Sequence, residues 1–462
     1  MKIIVVGIGR TGSNIISALA SEEYDVTVID KDPMLVNSIT DKYNVGGVVG
    51  SGASRDTLLL AGADTADVII AVTHVDEINL ISCMQAKALG TKKAAARILE
   101  PDLVYESENL KKEYKIDYFV KPNLDMAEEI YRNIGLPGFV KLEGYWGDNL
   151  EVVDINILDG SPLKDRTLMD IKKNSNLDLI VGTVTRDGKL HIPDGNFTLR
   201  SGDNVSIVAT GKDMKENLRS LGIINHIPKN IIIVGGCITL EYLVPMLEKN
   251  GSKVTVIESD RSRCDYLIKR FSKLNVIYAN GDIMDELEKD YVKKSDALVS
   301  ITNSDEINLV ISMYGFSIGI PSVLTRVNKP EHVKLLHKVN IDITVSPTLS
   351  SSVKMLRFVR NSEIKEGNMG KFYNIAQGEA EIMDFHVDSN FCMANIPLMD
   401  ESFKMRKDVL IAAICRNGET IIPSGTSSIL YGDNVIIVAS KDSKIRSLED
   451  IFNKSIHFKQ IF

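Results

Sequence analysis

Three glycines near the start of the chain have the spacing of a phosphate-binding turn. Gly7, Gly9 and Gly12 follow the apolar segment Lys2–Val6 and open a segment with helical patterning. At this spacing the first glycine permits a tight turn, the second lets a pyrophosphate approach the backbone, and the third lets the helix pack close to the strand. The phosphate would then bind free N–H groups at the positive end of the helix. The predicted phosphate site comprises Gly7, Ile8, Gly9, Arg10, Thr11 and Gly12, and the alternative is an ordinary glycine-rich turn.

A carboxylate stands where such a site would bind a ribose. Asp30 ends the second apolar segment, 18 residues after Gly12. An acidic side chain at this point accepts hydrogen bonds from the ribose hydroxyls. Its charge would repel a 2′-phosphate, so NAD or an unphosphorylated adenosine is favoured over NADP. The alternative is an aspartate that only flanks the following helix.

Further polar residues follow the fourth and fifth apolar segments. Thr73 and His74 come after Val68–Val72, at the sheet edge where open α/β sheets bind ligands. Thr73 and Asp76 also resemble a helix capping box, and capping is the interpretation that we favour for Asp76. Arg97 ends the fifth segment, where a guanidinium could hold a phosphate with two hydrogen bonds or form an internal salt bridge.

The sequence is a tandem duplication. Ile70–Leu80 aligns with Val299–Leu309 at an offset of 229, and the offset stays between 228 and 230 from Gly7 and Gly235 to Val205 and Val435. Such a constant register indicates two copies of one unit. The counterpart site residues of the second repeat are Gly235, Gly236, Glu258, Thr302, Asn303 and Arg326.

The second repeat keeps only part of the glycine turn. Cys237 takes the place of Gly9, and Leu240 takes the place of Gly12. A Cβ atom at Cys237 makes close contact with a pyrophosphate harder, although Glu258 keeps the ribose carboxylate. Nucleotide binding by the second repeat therefore stays open at this point.

Each repeat divides into two parts. In the first part, short apolar strands alternate with helices, which predicts parallel βαβ units in a doubly wound sheet. In the first repeat the predicted strands are Lys2–Val6, Val26–Ile29, Val45–Val49, Val68–Val72, Ala94–Ile98 and Tyr118–Val120. The predicted helices are Gly12–Ala20, Pro33–Thr40, Arg55–Ala61, Asp76–Leu89, Pro101–Lys112 and Leu124–Ile134.

The second part of each repeat reads as a small α+β module. Residues 151–210 contain β-branched segments separated by Gly, Pro and Asp turns, which predicts antiparallel strands, and residues 380–440 repeat this pattern. We expect domains at 1–138, 139–222, 228–365 and 370–453. The expected linkers lie near 135–144, 211–229 and 361–378.

Composition excludes several classes of protein. The 462 residues carry a formal net charge of -8, which argues against a nucleic-acid-binding protein. No apolar run approaches the ~20 residues of a membrane-spanning helix, and no secretion leader is recognisable. The five cysteines are scattered, which favours a reducing cytosolic compartment and no zinc site.

The sequence contains no recognisable catalytic set. His74 would be a proton-transfer candidate beside a nicotinamide, but the second repeat has Asn303 in its place. Neither a Ser-His-Asp spacing nor a plausible pair of carboxylates is present. A binding protein without enzymatic activity is therefore expected, with an NAD-dependent oxidoreductase as the alternative.

Together these motifs resemble the family of regulators of potassium conductance, the RCK or KTN domains. The resemblance covers essentially the whole chain, and it depends on the combination of motifs. The segments that carry it are Gly7–Gly12, Val26–Asp30, Gly50–Ser54, Ala61–Asp67, Ala71–Asn79, Ala96–Arg97, Pro193–Gly195 and Gly202–Val205. It implies tandem Rossmann-like doubly wound parallel sheets, each followed by a small α+β RCK C-terminal subdomain.

The resemblance also implies a function. Such a chain would be the nucleotide-sensing regulatory subunit of a membrane-embedded Trk-type potassium transporter, peripheral on the inner face of the cell membrane. It would form a homo-oligomer, a tetrameric ring, with NAD(H) and ATP or ADP as regulatory ligands. The alternative partner is another cation channel or an efflux system. The family's ligand contacts fall on the candidates named above and, in the loop Gly50–Ser54, on Ser51.

A further implication concerns one helix of each repeat. Leu124–Ile134, followed by Pro137 and Gly138, resembles the crossover helix that exchanges contacts between paired domains of the family. Ser346–Val359 takes that place in the second repeat, without the Pro-Gly pair.

Overall fold

The chain folds into two compact units, and each unit contains parts of both repeats. The computed structural model describes residues 1–136, 140–145, 150–175, 179–210, 214–224, 228–279, 283–329, 332, 344–363, 369–376, 379–445 and 447–452. The first unit joins Met1–Ile134 to Pro228–Glu363, and the second joins Gly135–Ile227 to Ile364–Phe462.

The first repeat opens with a six-stranded parallel sheet. Its elements are β1 (Lys2–Val6), α1 (Arg10–Ser21), β2 (Asp25–Asp30), α2 (Pro33–Tyr43), β3 (Gly46–Val49), α3 (Arg55–Leu60), β4 (Val68–Ala71), α4 (Asp76–Leu89), β5 (Lys93–Arg97), α5 (Pro101–Tyr105), α6 (Ser107–Tyr114), β6 (Tyr118–Val120) and α7 (Pro122–Asn133). The strand order is β3-β2-β1-β4-β5-β6, so the order reverses between β1 and β4. The predicted doubly wound sheet is confirmed. The helix predicted over Pro101–Lys112 is instead two helices, α5 and α6.

A small antiparallel sheet follows in the first repeat. Its elements are β7 (Val140–Tyr145), β8 (Leu150–Asn156), α8 (Leu168–Ser175), β9 (Leu179–Arg186), β10 (Lys189–His191), β11 (Asn204–Thr210) and α9 (Met214–Ser220). The strand order is β10-β9-β11-β8-β7. The stretch 135–144, expected as a linker, contains part of β7, which pairs with β8 at the edge of the sheet.

The second repeat copies the parallel sheet. Its elements are β12 (Asn230–Val234), α10 (Leu240–Lys249), β13 (Lys253–Glu258), α11 (Arg261–Arg270), β14 (Asn275–Tyr278), α12 (Ile283–Leu287), α13 (Asp290–Lys293), β15 (Ala297–Ser300), α14 (Asp305–Ser317), β16 (Ser322–Arg326), β17 (Thr344–Val345) and α15 (Pro347–Glu363). The order β14-β13-β12-β15-β16-β17 matches that of the first sheet.

The small sheet is copied as well. Its strands are β18 (Met369–Ile375), β19 (Ala380–His386), β20 (Val409–Arg416), β21 (Glu419–Ile421) and β22 (Asn434–Ser440), in the order β18-β19-β22-β20-β21. β18 lies within the stretch 361–378 that was expected as a linker. In the second unit, Leu150 and Val152 of β8 share one apolar cluster with Ile382 of β19 and Val438 of β22, so the two small sheets pack on each other.

The aspartate of the repeated Gly-Asp-x-Val motif has the same structural role in each small sheet. Asp203 accepts two hydrogen bonds from the guanidinium of Arg186 and one from the N–H of Arg200, each at 2.7 Å. In the second repeat Asp433 accepts the same bonds from Arg416 and from the N–H of Leu430. Each aspartate therefore fixes the turn before β11 or β22 and holds a guanidinium from a neighbouring strand.

The two repeats exchange helices inside the first unit. α15 of the second repeat packs on α1, and its fully buried Met355 and Val359 belong to the core of the first sheet. α7 of the first repeat packs on α10 and on α15, and Asp125 pairs with Lys354 at 2.6 Å. This exchange agrees with the crossover role implied for these helices. Pro137 and Gly138 lie outside the described residues.

Two kinds of feature are absent from the described residues. None of the helices within the described ranges has both the length and the apolar character that spanning a membrane requires. In the same part of the chain, no group of three or more His, Cys, Asp or Glu side chains could hold a metal ion.

Candidate functional site

A cleft of about 520 Å³ opens at the carboxyl ends of β1 and β4, where the strand order of the first sheet reverses. Open α/β sheets bind ligands at this point. Of the residues predicted from the sequence, the cleft is lined by Gly7, Gly9, Arg10, Thr11, Asp30, Thr73, His74 and Arg97. Ile8, Gly12 and Ser51 are not in its lining, although Gly50 and Gly52 on either side of Ser51 are.

The three glycines of the turn have three different surroundings. Gly7 has φ +97°, a conformation that favours glycine, and a Cβ atom there would lie 3.0 Å from the Thr73 nitrogen. A Cβ atom at Gly12 would lie 1.9 Å from the carbonyl oxygen of Gly7. At Gly9 a Cβ atom would meet nothing within 4 Å. Gly9 therefore leaves space in the cleft beside the N-terminus of α1, whereas Gly7 and Gly12 let the backbone turn and pack.

Asp30 links the glycine turn to the start of α2. Its carboxylate accepts hydrogen bonds from the N–H of Ile8 at 2.7 Å and from the N–H of Asp32 at 3.0 Å. The helix cap is Asp32, which accepts from the N–H of Met34 at 2.8 Å. Because each carboxylate oxygen can accept more than one hydrogen bond, Asp30 keeps acceptor capacity toward the cleft.

Arg97 extends from the end of β5 into the cleft. Its guanidinium donates to the carbonyl of Thr73 at 2.6 Å and lies 3.5 Å from the hydroxyl of Thr11. Its Nε atom is buried and has no hydrogen-bond partner within the described part of the chain. Burial lowers the pKa of Arg97, and the charge of Asp76 opposes that shift. The salt bridge considered as the alternative is not found among the described residues, so the cation faces the cleft without a bound carboxylate.

The capping interpretation of Thr73 and Asp76 is wrong. α4 has Val75 as its N-cap, so Asp76 is the first helical residue and does not stand where a capping box needs its acid. Its carboxylate instead accepts from the N–H groups of Leu99 and Glu100, at 2.7 and 2.8 Å. Asp76 thereby fixes the turn that follows Arg97.

The equivalent residues of the second repeat, Thr302 and Asp305, do not form a capping box either. Ser304, not Thr302, caps α14 by accepting from the N–H of Ile307. Asp305 accepts from the N–H groups of Asn328 and Lys329, at 2.8 and 3.0 Å.

Thr73 is held by an asparagine of α4. Its N–H and its hydroxyl both bind Oδ1 of Asn79 at 2.8 Å, and Nδ2 of Asn79 donates to the carbonyls of Thr73 and Arg97. Asn79 is fully buried, and it joins the ends of β4 and β5. Asn308 makes the same bonds to Thr302 and Arg326, so this part of the edge is preserved in both repeats.

The second repeat has a cleft of about 640 Å³ at the equivalent position. Gly235, Gly236, Glu258, Thr302 and Asn303 line it, as the alignment predicts. Arg326 is not in the lining, and its guanidinium lies 3.5 Å from Oδ1 of Asn303.

The start of the helix differs between the two clefts. α1 begins at Arg10, whereas α10 begins at Leu240, two residues later in the alignment. In the first repeat Ser13 donates to Gly9 at 2.8 Å, which is the α-helical pattern. In the second, Leu240 donates to Cys237 and Glu241 donates to Ile238, which are tighter three-residue turns. Since Gly12 packs against Gly7 without room for a side chain, Leu240 cannot take the same turn.

An arginine occupies the loop of the second cleft. Arg263 of α11 stands where the first repeat has Leu35. Its guanidinium donates to the carbonyls of Gly236 and Cys237 and pairs with the buried Glu241 at 3.4 Å. The second loop therefore presents carbonyl oxygens to a cation that the protein itself supplies.

The charges of the two clefts differ accordingly. The first is lined by three cations, Arg10, Lys31 and Arg97, and one carboxylate, Asp30. The second is lined by one cation, Arg263, and two carboxylates, Glu258 and Asp260. Among the described lining residues, cations outnumber carboxylates in the first cleft, as binding of a polyphosphate requires, whereas carboxylates outnumber cations in the second.

Sequence reasoning missed several lining residues of the first cleft. They are Val6, Ile29, Lys31, Leu35, Gly50, Gly52, Val72, Val75, Ile78 and Thr348. Most flank predicted residues, so the ends of strands already indicated their place. Thr348 belongs to α15 of the second repeat, and only the implied exchange of helices could have indicated it.

Models of two domain families match the chain. The TrkA-N domain matches residues 3–122 and 231–347, and the TrkA-C domain matches residues 152–222. The Trk system potassium uptake protein TrkA homolog of Archaeoglobus fulgidus is 30% identical over 461 residues, which cover 98% of this chain and 100% of that protein. Trk system potassium uptake protein TrkA of Azorhizobium caulinodans is 28% identical, over 99% of this chain and 100% of its own length.

Solved structures share the fold. The GsuK channel bound to NAD is 17% identical, with a TM-score of 0.62 over 96% of this chain and 77% of that one. The crystal structure of the GsuK RCK domain is 18% identical, with a TM-score of 0.61 over 96% of this chain and 92% of that one. The tandem arrangement of parallel and small sheets is therefore a fold that this chain shares with the GsuK RCK domain.

Proposed function

The chain belongs to the TrkA family of Trk system potassium uptake proteins, and from this premise we propose that it is the nucleotide-sensing regulatory subunit of a Trk-type potassium transporter. The TrkA-N match in both repeats and the similarity to the relative from Archaeoglobus fulgidus over nearly the full chain support the proposal. We expect domain limits at 1–138, 139–222, 228–365 and 370–453.

The proposal of a nucleotide ligand is based on the first cleft. Gly9 leaves room for a phosphate beside the N-terminus of α1, and Arg10 and Arg97 supply positive charge. Asp30 accepts a hydrogen bond from the turn at Ile8 and lines the same cleft, where it could accept hydrogen bonds from a ribose. This combination suits NAD(H) and also ATP or ADP. GsuK, whose fold this chain shares, has been solved with NAD and with ADP.

We propose the site residues from the lining of the two clefts and, for Ile8, Gly12, Ser51 and Arg326, which lie outside that lining, from the family resemblance alone. In the first repeat they are Gly7, Ile8, Gly9, Arg10, Thr11, Gly12, Asp30, Ser51, Thr73, His74 and Arg97. Gly235, Gly236, Glu258, Thr302, Asn303 and Arg326 are their counterparts. Because Arg263 occupies the second loop and carboxylates outnumber cations there, we expect weaker phosphate binding by the second repeat.

The ligand would act by binding alone and would not be chemically changed. A nucleotide shifts the equilibrium between two conformations of the protein only if it binds one of them more tightly than the other. The resulting change of conformation would be passed on to the membrane subunit. His74 is the one imidazole that lines either cleft within the described chain, and Asn303 replaces it in the second. A non-enzymatic sensor is therefore preferred to an NAD-dependent oxidoreductase.

Membership of the family supports a proposal for the partner and the location. We propose that the chain forms a homo-oligomeric ring, a tetramer, on the inner face of the cell membrane, where it contacts the potassium-transporting subunit. A potassium channel or efflux system is the alternative partner.

Two measurements test the proposal. Calorimetry of the full chain with NAD, NADH, ATP and ADP should give binding with one tight site per chain. Potassium flux through the reconstituted Trk-type membrane subunit should then change when this chain and its ligand are added together. Failure of all four nucleotides to bind would rule out the sensor. Turnover of a metabolite with NAD(H), lost in His74→Ala, would favour the oxidoreductase instead.

A further inference from the structure

One residue of the second repeat lines the cleft of the first. Thr348, in the first turn of α15, belongs to its wall, and every other lining residue comes from the first repeat. Met355 and Val359 of the same helix are fully buried in the core of the first sheet. The hydroxyl of Ser352 donates to the carbonyl of Thr11 at 3.4 Å. Thr348 is therefore held in a fixed position next to the glycine turn.

Among the described residues, the second cleft has no such contribution from the other repeat. Asn123 of α7 takes the place of Thr348, because Val120 pairs with Arg97 as Val345 pairs with Arg326 and the next helices open at Pro122 and Pro347. This local match comes from the sheet and departs from the sequence offset of the motifs. Its side chain donates to the carbonyl of Leu99 at 3.3 Å, and the described lining of the second cleft includes no residue of α7. The arrangement around Thr348 is thus specific to the cleft that keeps the glycine turn.

The hydroxyl of Thr348 has a neutral hydrogen-bond partner, which a phosphate could replace. It donates to Oδ1 of Asn328 at 3.0 Å. A phosphate oxygen is a charged acceptor and binds a donor about twice as strongly as a neutral amide oxygen does. Asn328 is partly exposed, so water can replace the hydroxyl at its amide. The proton can therefore turn from Asn328 to a ligand at small cost.

We propose that Thr348 donates a hydrogen bond to the phosphate chain of a nucleotide in the first cleft, so that both repeats hold one ligand. The inference rests on the proposed function of that cleft. A phosphate is indicated because Thr348 shares the cleft with Thr11 and Arg97, whose side chains adjoin each other there. Ligand binding then stabilises the packing of α15 on α1, since a ligand stabilises the state that binds it.

The test compares a ligand with phosphates and one without. Thr348→Val replaces the hydroxyl by a methyl group, and calorimetry of the full chain should show about tenfold weaker binding of ATP, a usual loss for a hydrogen bond to a charged group. Adenosine should bind Thr348→Val and the wild type equally. Thr348→Ser keeps the hydroxyl and should bind ATP as the wild type does.

Ser350→Ala is the matched control. Ser350 lies on the same helix, donates to Glu129 at 3.0 Å and does not line the cleft, so its loss should leave ATP affinity unchanged. Unchanged ATP affinity of Thr348→Val would overturn the inference and leave nucleotide binding intact. An equal loss for adenosine would overturn it too, because Thr348 would then only shape the cleft. If the wild type bound none of ATP, ADP, NAD and NADH, the proposed function itself would fail.

Discussion

The carbonyl oxygen of Gly7 lies 1.9 Å from the point that a Cβ atom would occupy at Gly12. The turn and α1 therefore pack together only while position 12 carries no side chain. The second repeat has Leu240 there, and its helix begins two residues later in the alignment. This pair of glycines thus decides where the helix begins and where its free N–H groups stand.

Gly12→Ala should destabilise the protein. The added methyl group overlaps the carbonyl oxygen of Gly7, and such overpacking costs about 1–3 kcal/mol. Chemical denaturation should show the loss as a lower free energy of unfolding. Gly9→Ala is the control, because its Cβ atom would meet nothing within 4 Å and φ at Gly9 is -67°, which any residue adopts. If Gly12→Ala were as stable as the wild type, the turn would be able to shift and accommodate the added methyl group without cost.

Gly9→Asp should remove nucleotide binding while the fold is kept. The new carboxylate would extend into the open space beside the N-terminus of α1, where it adds both bulk and negative charge at the phosphate. Thermal unfolding should then show no stabilisation by ATP or NADH, whereas both should stabilise the wild type.

Cys237→Asp is the matched control for that variant. It places the same charge at the equivalent position of the second repeat, where Arg263 already occupies the loop. It should leave the stabilisation by ATP intact. If Gly9→Asp kept the wild-type shifts, the assignment of the first site would be wrong.

Asp30→Asn should weaken every ligand that carries a ribose. The amide keeps the shape of the side chain but offers one acceptor oxygen in place of two, and the backbone N–H of Ile8 competes for it. We expect about tenfold weaker binding of adenosine and ATP alike, from the loss of a hydrogen bond to a charged group. Asp32→Asn is the control, since it caps α2 outside the lining of the cleft and asparagine caps equally well. Wild-type affinity of Asp30→Asn would make the carboxylate structural.

Asp203→Asn should unfold at lower denaturant concentration than the wild type. It leaves the guanidinium of Arg186 without its partner carboxylate, and because Arg186 is partly exposed the loss should stay below the about 3–5 kcal/mol of a fully buried pair. Burial acts to raise the pKa of Asp203, but the hydrogen bonds from Arg186 and the N–H of Arg200 outweigh it and hold the pKa below its usual value. Asp187→Asn, at an exposed neighbour, should change little.

The same pair predicts a dependence on pH. Because the folded-state pKa of Asp203 is lowered, its stabilising contribution is complete above the usual aspartate pKa of about 3.9 and is lost as the pH falls through the folded-state value. The difference in unfolding free energy between the wild type and Asp203→Asn should therefore shrink below about pH 4. A constant difference down to pH 2 would contradict this account.

Local patterns predicted most of the fold. The strands and helices of the first sheet lie close to their predicted bounds, because runs of β-branched residues and helical spacing act over a few residues. The edge strands β7 and β18 were not predicted. Each is stabilised by pairing with a neighbour, β8 or β19, and such pairing depends on the assembled sheet.

Contacts distant in sequence account for the errors at the site. Thr73 and Asp76 have the spacing of a capping box. In the structure, however, Thr73 binds Asn79. Asp76 accepts hydrogen bonds from the backbone N–H groups of Leu99 and Glu100. The sequence gives no sign of these partners, because the turn after β5 meets α4 only when the sheet has formed.

The sequence by itself determined the duplication, the parallel sheets and the unequal glycine turns, since each depends on residue types at fixed local spacing. The tertiary structure decided how the unequal glycine turns affect the two clefts. Packing of Gly12 on Gly7 sets the start of α1, Arg263 fills the loop of the second cleft, and α15 brings Thr348 to the first. These relations join residues far apart in the chain, and only the exchange of helices and the closing of the sheets bring them into contact.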